Sequence, residues 1–583
     1  MGTISDKLMR IINTKEDIRQ ALISKGYDVP TSIPFKEYAK MILDLPCKVD
    51  SFPDIEGIVA RYSASGLTNE QMAANPVWVD KTGNGHDIQL KNFSWKGMSG
   101  VGGYEMNFNL WRNNVSSIPD ISMSTTTTSV SVSVGNSTYN NNLIYIHISN
   151  WDINKNHWLK VTSTYEDGDL AFIFYNDSNT KKIGLPANGY VNILAYPEFK
   201  GSYMYISTIS NKQGSFTIEQ LPLYPGALVF DGVDDYGTCD NFPILTKEKG
   251  YTVVVLRQWI EEKNDSTALV SNCKNWNQDG AFLFEYNNLR INFLNVAISF
   301  GHVSSVDRGK SPFSYQTSKL YNGKNIKPGS FIGSNELVVG KGNKDFPTVS
   351  NAAIWEIVIL DHDATEEELT KIKDYFVKTY PWLFPYQAWT VTGKTNEDED
   401  RATIANITGN GNNLVLSNFG FAEGSGYNEE GEYAGYLVTD GVDDKIISSI
   451  FKMGNDWTVI GDWELINTGK NDNAGIVKFD SIVIYNYNYN SMLINIKNGR
   501  NILIPDQNTV NAICSDGRIY SKDWKESIYN EETESTSKNF LTIGYSGNAY
   551  TKIAFKNLAI YPTVLSREDC IKAYNYLQTL KAK

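Results

Sequence analysis

The chain has little cysteine, little histidine and no excess of positive charge, and each shortage closes off a class of function. Its five cysteines (Cys47, Cys239, Cys273, Cys514 and Cys570) are odd in number and lack CxxC spacing. That pattern indicates neither a disulfide framework nor a zinc site, and they read as isolated thiols made in a reducing cytoplasm. Of the five histidines (His86, His147, His157, His302 and His362), no two have metal-ligand spacing. The 53 Lys and Arg are outnumbered by 66 Asp and Glu, for a net charge of -13. Sequence-independent attraction to a phosphate backbone needs clustered Lys and Arg, so nucleic acid is not expected as a partner. No apolar run approaches the length of a membrane span. The opening MGTISDKLMRII lacks the basic region and long apolar run of a secretory signal.

What the chain does have is aromatic and small polar residues: 34 Tyr, 13 Trp and 45 Gly, with only 20% charged. That composition suits β-sandwiches with polar loops. Its length of 583 residues implies roughly three to five domains. Helical periodicity near the N-terminus is confined to residues 3–45. Ile4, Leu8, Ile11 and Ile12 share one face, Ile18, Leu22 and Ile23 another, and Phe35 to Leu45 make a third short helix ending at Pro46. Helices this short are marginal alone and need a partner surface. Residues 1–47 are therefore expected either to pack as a small subdomain on their own chain or to act as an anchor or oligomerisation segment.

Beyond residue 51 the chain repeats itself. The stretch Asp80 to Phe93 is matched by Asn406 to Phe419, with TGNG (Gly83, Asn84 and Gly85; Gly409, Asn410 and Gly411) and an L-x-N-F tail in both. A DGVDD segment (Asp231, Gly232, Asp234 and Asp235) recurs with Asp440, Gly441, Asp443 and Asp444. Each copy then closes on a strand ending in Gly340 or Gly544, a further strand, and a capped helix opened by Thr365 or Ser566. Three ordered matches imply an internal duplication. Between TGNG and DGVDD the first copy is longer by about one small domain, residues 108–225. Runs such as Leu170 to Tyr175 and Tyr203 to Ile209 make that stretch strand-like.

The acids of DGVDD could hold a cation such as calcium through several oxygens. A tight turn is the simpler reading, because Asp-Gly supplies the positive φ of a hairpin connection. No metal or other cofactor is predicted. TGNG lacks the helix and lysine of a phosphate-binding loop and also reads as a turn. Glu366 to Glu368 fall in the first turn of a helix, where carboxylates meet the macrodipole, which makes them caps rather than a glycosidase acid pair. No catalytic signature is present, so an enzyme is not expected. Aromatic side chains in polar loops can stack on sugar rings. The candidates for glycan binding are Trp276 and Asp279 in one segment, and Tyr485, Tyr487 and Tyr489 in another.

The D-x-[ST]-G-N-G, L-x-x-D-G-x-D-D and S-x-E-E-[IL] motifs resemble those of the laminin-G-like, concanavalin A-like family. Asn406 for the leading Asp and Cys570 for the terminal aliphatic are local departures. The resemblance implies a mainly β chain of tandem jelly-roll sandwiches. The first would span 51–107 plus 226–382, interrupted by a β-sandwich at 108–225, and the second 385–583. The T-I-S-x-K-L opening and the segment Pro34 to Ala39 resemble the start of structural proteins of crAss-like and related gut bacteriophages. Together the resemblances imply a virion surface protein, a head or tail fibre or decoration. It would be homo-oligomeric, held to other virion proteins through residues 1–47, and would face host surface polysaccharide. A purely structural assembly role and a polysaccharide depolymerase are the alternatives.

Overall fold

The structure is a computed structural model. It describes residues 15, 52–113, 121–135, 146–147, 157–176, 179–193, 199, 203–208, 213–246, 248–261, 267–273, 280–285, 311–325, 333–345, 348–422, 424–431, 433–449, 451, 454–466, 475–479, 482–488, 491–496, 500–504, 510–521, 524, 526–528, 541–545 and 550–582. The chain divides into Met1–Asp54 and Ile55–Lys583. The helices expected in the first unit lie outside the described residues.

The second unit is mainly β, built from several antiparallel sheets and consistent with β-sandwiches. Its first sheet pair has one sheet in the order Lys324–Asn325, Leu320–Tyr321, Phe313–Thr317, Thr252–Glu261, Asn351–Leu360, Leu228–Asp231 and Gly100–Val101, with Ile58–Ser63 beside Asn351–Leu360. The facing sheet runs Gly280–Phe284, Val270–Cys273, Leu337–Val339, Tyr236–Cys239, Ile88–Lys91 and Val77–Trp78. Alternate residues of both point inward, so Leu228, Val253 and Ile354 meet Ile88, Val270 and Leu337 in one core.

The C-terminal part repeats that order strand for strand. Glu526–Ile528, Arg518–Ser521, Val510–Cys514, Thr458–Leu465, Ile553–Tyr561, Leu437–Val438 and Gly426–Tyr427 form one sheet, with Gln387–Thr390 beside Ile553–Tyr561. The other begins with two further strands, Arg500–Ile504 and Ser491–Ile496, and continues Ile482–Asn488, Gly475–Phe479, Leu541–Ile543, Lys445–Ser448, Leu414–Ser417 and Thr403–Ile404. Trp389, Val459 and Leu558 from one sheet pack on Leu414, Ile446 and Ile543 from the other.

The stretch from Arg112–Asn113 to Gly214–Gln220, which falls between first-pair strands Gly100–Val101 and Leu228–Asp231, forms a smaller pair of five-stranded sheets with its own core, in which Phe172 and Ile206 face Val132, Leu159 and Ile218. The chain leaves and re-enters the first sheet pair at one place. Met106 N–H donates to Gln220 Oε1 at 2.9 Å, Leu223 N–H to the Gly103 carbonyl at 3.0 Å and Tyr224 N–H to the Gly102 carbonyl at 2.8 Å.

Three helices matter to this arrangement. The short α1 (Asn69–Ala74) carries a Thr68–Gln71 capping box that sequence periodicity did not single out. α2 (Glu366–Thr379) is capped reciprocally by Thr365 and Glu368, and buries Ile372 and Phe376. α3 (Arg567–Gln578) occupies the same place in the second copy but buries Cys570, Ile571, Ala573, Tyr574, Asn575, Tyr576 and Leu577. The reason is that α3 is covered from several sides. Tyr574 meets Trp158 of the inserted pair edge-to-face at 5.0 Å, Arg567 lies 5.7 Å from the Tyr190 ring centre, and Gln258 of the first pair donates to Thr579 Oγ1 at 2.9 Å. Where α2 exposes Lys373 and Asp374, α3 has Tyr574 and Asn575.

Candidate functional site

The duplicated DGVDD segment turns the chain between two strands that belong to opposite sheets. Gly232 and Gly441 take φ of +74° and +76° there, the left-handed region that glycine enters at least cost. In the first copy Asp231 Oδ1 accepts from Val233 N–H at 2.7 Å, and Asp235 takes Asp231 N–H at 3.1 Å and the Ser99 hydroxyl at 3.0 Å. In the second, Asp440 Oδ1 accepts from Val442, Asp443 and Asp444 N–H at 2.7, 3.2 and 3.3 Å, while Asp444 Oδ2 takes Asp440 N–H at 2.8 Å. The L-x-N-F tail closes the same turn. Asn92 and Asn418, both at φ 69°, donate their side-chain amides to the carbonyls of Asp234 and Asp443.

In each copy one carboxylate oxygen from each of the three acids lies within 4.8 Å of the other two. Asp235 and Asp444 are fully buried. Burial first, with the neighbouring carboxylates adding to it, pushes Asp235 up to about 7 and Asp444 up to about 6. The turn donors above oppose that rise without cancelling it. The arrangement is a backbone turn held by its own acids, and the carboxylates are the groups that could take a cation. At the tip Val233 and Val442 stand 73% and 71% exposed.

An aromatic ring and a lysine adjoin each turn. Tyr236 follows Asp235, with Lys341 Nζ 4.4 Å and Lys91 Nζ 5.6 Å from its ring centre. In the second copy the two residue types change places: Lys445 follows Asp444 and its Nζ lies 5.8 Å from the ring of Tyr545, which itself packs on Tyr550 at 5.0 Å. Lys341 and Tyr545 follow the equivalent glycines Gly340 and Gly544. Each pairing is a cation over an aromatic face.

The asparagines of the two TGNG segments hold the neighbouring strand. Asn84 donates to the Val59 carbonyl at 3.1 Å and Asn410 to that of Tyr386 at 2.7 Å. Gly83, Gly85, Gly409 and Gly411 have φ between +71° and +79° with open space around the missing Cβ, so they serve conformation alone. Asp80 accepts from Arg61 N–H at 3.1 Å and from Thr82 N–H at 3.0 Å. Its counterpart Asn406 keeps the corresponding bonds from Ala388 and Thr408 and also donates to Gln387.

Trp276, Asp279 and Tyr489 lie outside the described residues. Tyr485 and Tyr487 fall on the Ile482–Asn488 strand, and the placement of their side chains lies outside them too. Sequence reasoning missed the Lys–Tyr pairs and two buried ion pairs. Glu285 takes Arg257 Nε at 2.9 Å, Trp259 Nε1 at 2.6 Å, and the Ser314 and Tyr321 hydroxyls at 2.8 Å each. Burial would raise its carboxyl, but Arg257 outweighs burial and holds it below the usual range. Glu356 pairs with Arg61 at 3.1 Å and accepts from the Tyr380 hydroxyl at 2.9 Å. Burial leaves its carboxyl raised. The cysteines depart from the expected isolation: Cys239, Cys273, Cys514 and Cys570 are buried thiols in no disulfide, and Cys514 and Cys570 hydrogen-bond to one another.

No family model matches the chain, and no curated protein matches it. Solved structures that are similar include the receptor-binding domain of botulinum neurotoxin type G, at 11% identity and TM-score 0.21 over 33% of this chain and 50% of that one. The binding domain of Paraclostridial mosquitocidal protein 1 is 14% identical with TM-score 0.22, covering 33% of this chain and 51% of that one. A Trypanosoma rangeli sialidase in complex with sialic acid is 8% identical with TM-score 0.26 over 78% and 83%. The chain thus spans about half the length of the two binding domains. Likeness at this level has no bearing on ligand or activity. Among the described residues, no helix is long and apolar enough to cross a membrane.

Proposed function

We propose that this chain is a non-enzymatic display protein of a bacteriophage virion, built from tandem concanavalin A-like, laminin-G-like jelly-roll sandwiches that bind host surface glycans. The observation that carries the glycan reading is the repetition of one surface feature in two sheet pairs of the same strand order: an acid turn with a lysine and a tyrosine ring beside it. Tyrosine faces stack on the apolar faces of sugar rings, while lysine and carboxylate bond hydroxyls. Two such places in one chain add avidity where the ligand repeats along a polymer. The non-enzymatic reading is supported by the buried Glu285 and Glu356, each ion-paired and hydrogen-bonded rather than poised for proton transfer. The virion assignment rests on the resemblance of the N-terminal segment to phage structural proteins.

The test is a pull-down and glycan-array comparison of the wild type with a Tyr236→Ala, Lys341→Ala, Lys445→Ala, Tyr545→Ala variant on host capsular polysaccharide. Binding by the wild type and its loss in the variant are expected. Absence of binding by a protein that immunogold labelling places on the virion would assign it the purely structural role instead.

A further inference from the structure

The second copy holds a pair of thiols that the first lacks. Cys514 ends the Val510–Cys514 strand, and Cys570 lies in the first turn of α3. Thr458 and Leu565 bring them together. Cys514 Sγ is 3.7 Å from Thr458 Oγ1, that oxygen accepts from Leu565 N–H at 2.9 Å, and the Leu565 carbonyl is 4.0 Å from Cys570 Sγ. Arg518 closes the group from the solvent side, donating from Nη2 to the same Leu565 carbonyl at 3.1 Å, with a quarter of its side chain exposed.

The fold does not require these cysteines. Thr252 of the first copy makes the same contacts as Thr458, accepting from Ala364 N–H at 2.7 Å and donating to the His362 carbonyl at 2.7 Å. The strand partner of Thr252 is Thr317, where that of Thr458 is Cys514. Counting from the caps Thr365 and Ser566, the position of Cys570 is held by Leu369. Both cysteines therefore stand where the first copy has other residue types, a buried Thr317 and a half-buried Leu369.

We propose that Cys514 and Cys570 are a modification site: an oxidisable thiol pair that closes to a disulfide when the folded protein meets a peroxide, stapling α3 to the adjacent sheet. Cys514 is the attacking group. The hydrogen bond from Cys570 holds its thiol below the ordinary range, with Thr458 and Arg518 contributing. A thiolate beside a guanidinium, with a resolving thiol in contact, is the microenvironment of a redox-sensitive cysteine. The thiolate takes one oxygen of hydrogen peroxide to give a sulfenic acid and hydroxide. Cys570 then attacks that sulfur and its proton leaves with the displaced hydroxyl as water. Two S–H bonds are replaced by one S–S bond, and the two electrons and two protons reduce one peroxide to two waters. The consequence falls on α3, which contacts both other sheet pairs through Tyr574 and its C-cap residue Thr579. Tying its first turn to the sheet holds those contacts in place.

The experiment uses the full chain. Folded protein is treated with hydrogen peroxide, unfolded in an excess of a thiol-alkylating agent, and digested without reductant for mass spectrometry. A linked peptide containing Cys514 and Cys570, a loss of two alkylatable thiols, a raised Tm and reversal by dithiothreitol are expected. In a Cys570→Ser variant the link is lost and dimedone traps a sulfenic acid on Cys514. Cys239 and Cys273 serve as the internal control. Their strands are separated by Leu337–Val339, about 9.6 Å at two strand spacings, beyond the span of a disulfide. Full alkylation of Cys514 and Cys570 after peroxide treatment, or oxidation of both without a link, would overturn the proposal. Should the variant not fold, the wild-type peptide map decides it alone.

Discussion

Asn92 donates its side-chain amide to the carbonyl of Asp234, 142 residues away, at 3.0 Å. Asn418 makes the same bond to Asp443 at 3.0 Å across 25 residues. The last motif of one repeated segment thus fastens the first motif of the next, and it does so whether or not a whole sheet pair is inserted between them. Each asparagine also holds a left-handed φ of 69°, which Asn tolerates better than a residue with an apolar side chain.

Replacing Asn92 by Ala therefore removes a hydrogen bond and leaves the strained backbone. A loss of about 2 kcal/mol is expected from a bond of about 1 kcal/mol and a left-handed conformation costing about 1 kcal/mol. Asn92→Gly keeps the conformation without strain and should lose about half as much. Chemical denaturation followed by tryptophan fluorescence gives both values, and an unchanged midpoint in Asn92→Ala would remove the clamp from the account of this fold.

The acid turns make stability depend on pH in a defined direction. Asp235 titrates at about 7 and Asp444 at about 6 in the folded chain, against an ordinary aspartate value of 3.8. Both pKa values are raised on folding, so the unfolded chain gives up these protons more readily. Their contribution to stability is complete below pH 4 and is lost as pH rises through 6 to 7. Tm measured from pH 4 to 8.5 should show that loss, and Asp235→Asn should flatten the part near 7. Because Asp231, Asp235, Asp440 and Asp444 each already accept a backbone N–H, chelation of divalent cations should leave Tm at pH 8 unchanged. A rise in Tm with millimolar calcium would instead identify the triads as cation sites.

The parts of this arrangement that could be read from sequence are those whose cause is local. A left-handed glycine, an Asx turn and a reciprocal cap such as Thr365 with Glu368 each depend on residues within a few positions. The repeated motifs mark equivalent strands for the same reason. What could not be read depends on partners far along the chain. Asn69 bonds both backbone groups of Val101, and Asn396 those of Tyr427; the two asparagines share a G-x-T-N-E segment (Gly66 to Glu70 and Gly393 to Glu397), but nothing in that segment shows which strand, 32 or 31 residues on, each one holds. Arg257 and Glu285 carry no pattern that announces a buried pair. Tyr574 fits the inward face of an amphipathic helix, and nothing local shows that the other face of α3 is covered as well.

The Arg257–Glu285 pair gives the largest expected effect of a single substitution. Both side chains are almost wholly buried, at 3% and 0% exposure, and the carboxylate also satisfies Trp259, Ser314 and Tyr321. Glu285→Ala leaves a guanidinium buried without its charge partner and should destabilise the first sheet pair by about 3–5 kcal/mol. Replacing both partners, as Arg257→Met with Glu285→Leu, removes the desolvated charges together and should recover part of that loss, the remainder being set by the acceptor that Ser314 and Tyr321 lose. A double variant no more stable than the single one would mean that geometry, not charge desolvation, sets the cost.

The inserted sheet pair is expected to fold by itself and to gain further stability from α3. Its core has members from both of its own sheets, among them Val132, Leu159, Phe172 and Ile206. Its two ends are joined by the Met106–Gln220 hydrogen bonds at 2.9 and 3.3 Å, so excision leaves neither end stretched. A fragment spanning residues 104–225 should therefore unfold in one cooperative thermal transition. In the full chain the same unit also has Trp158 set edge-to-face against Tyr574, a contact worth about 0.5–1.5 kcal/mol beyond the area it buries. Trp158→Ala in the full chain should move the unfolding of this unit toward that of the isolated fragment, without affecting the first sheet pair. A fragment as stable as the unit in the intact protein would show that docking on α3 adds nothing to it, and a fragment with no cooperative transition would show that the inserted strands depend on their neighbours to fold.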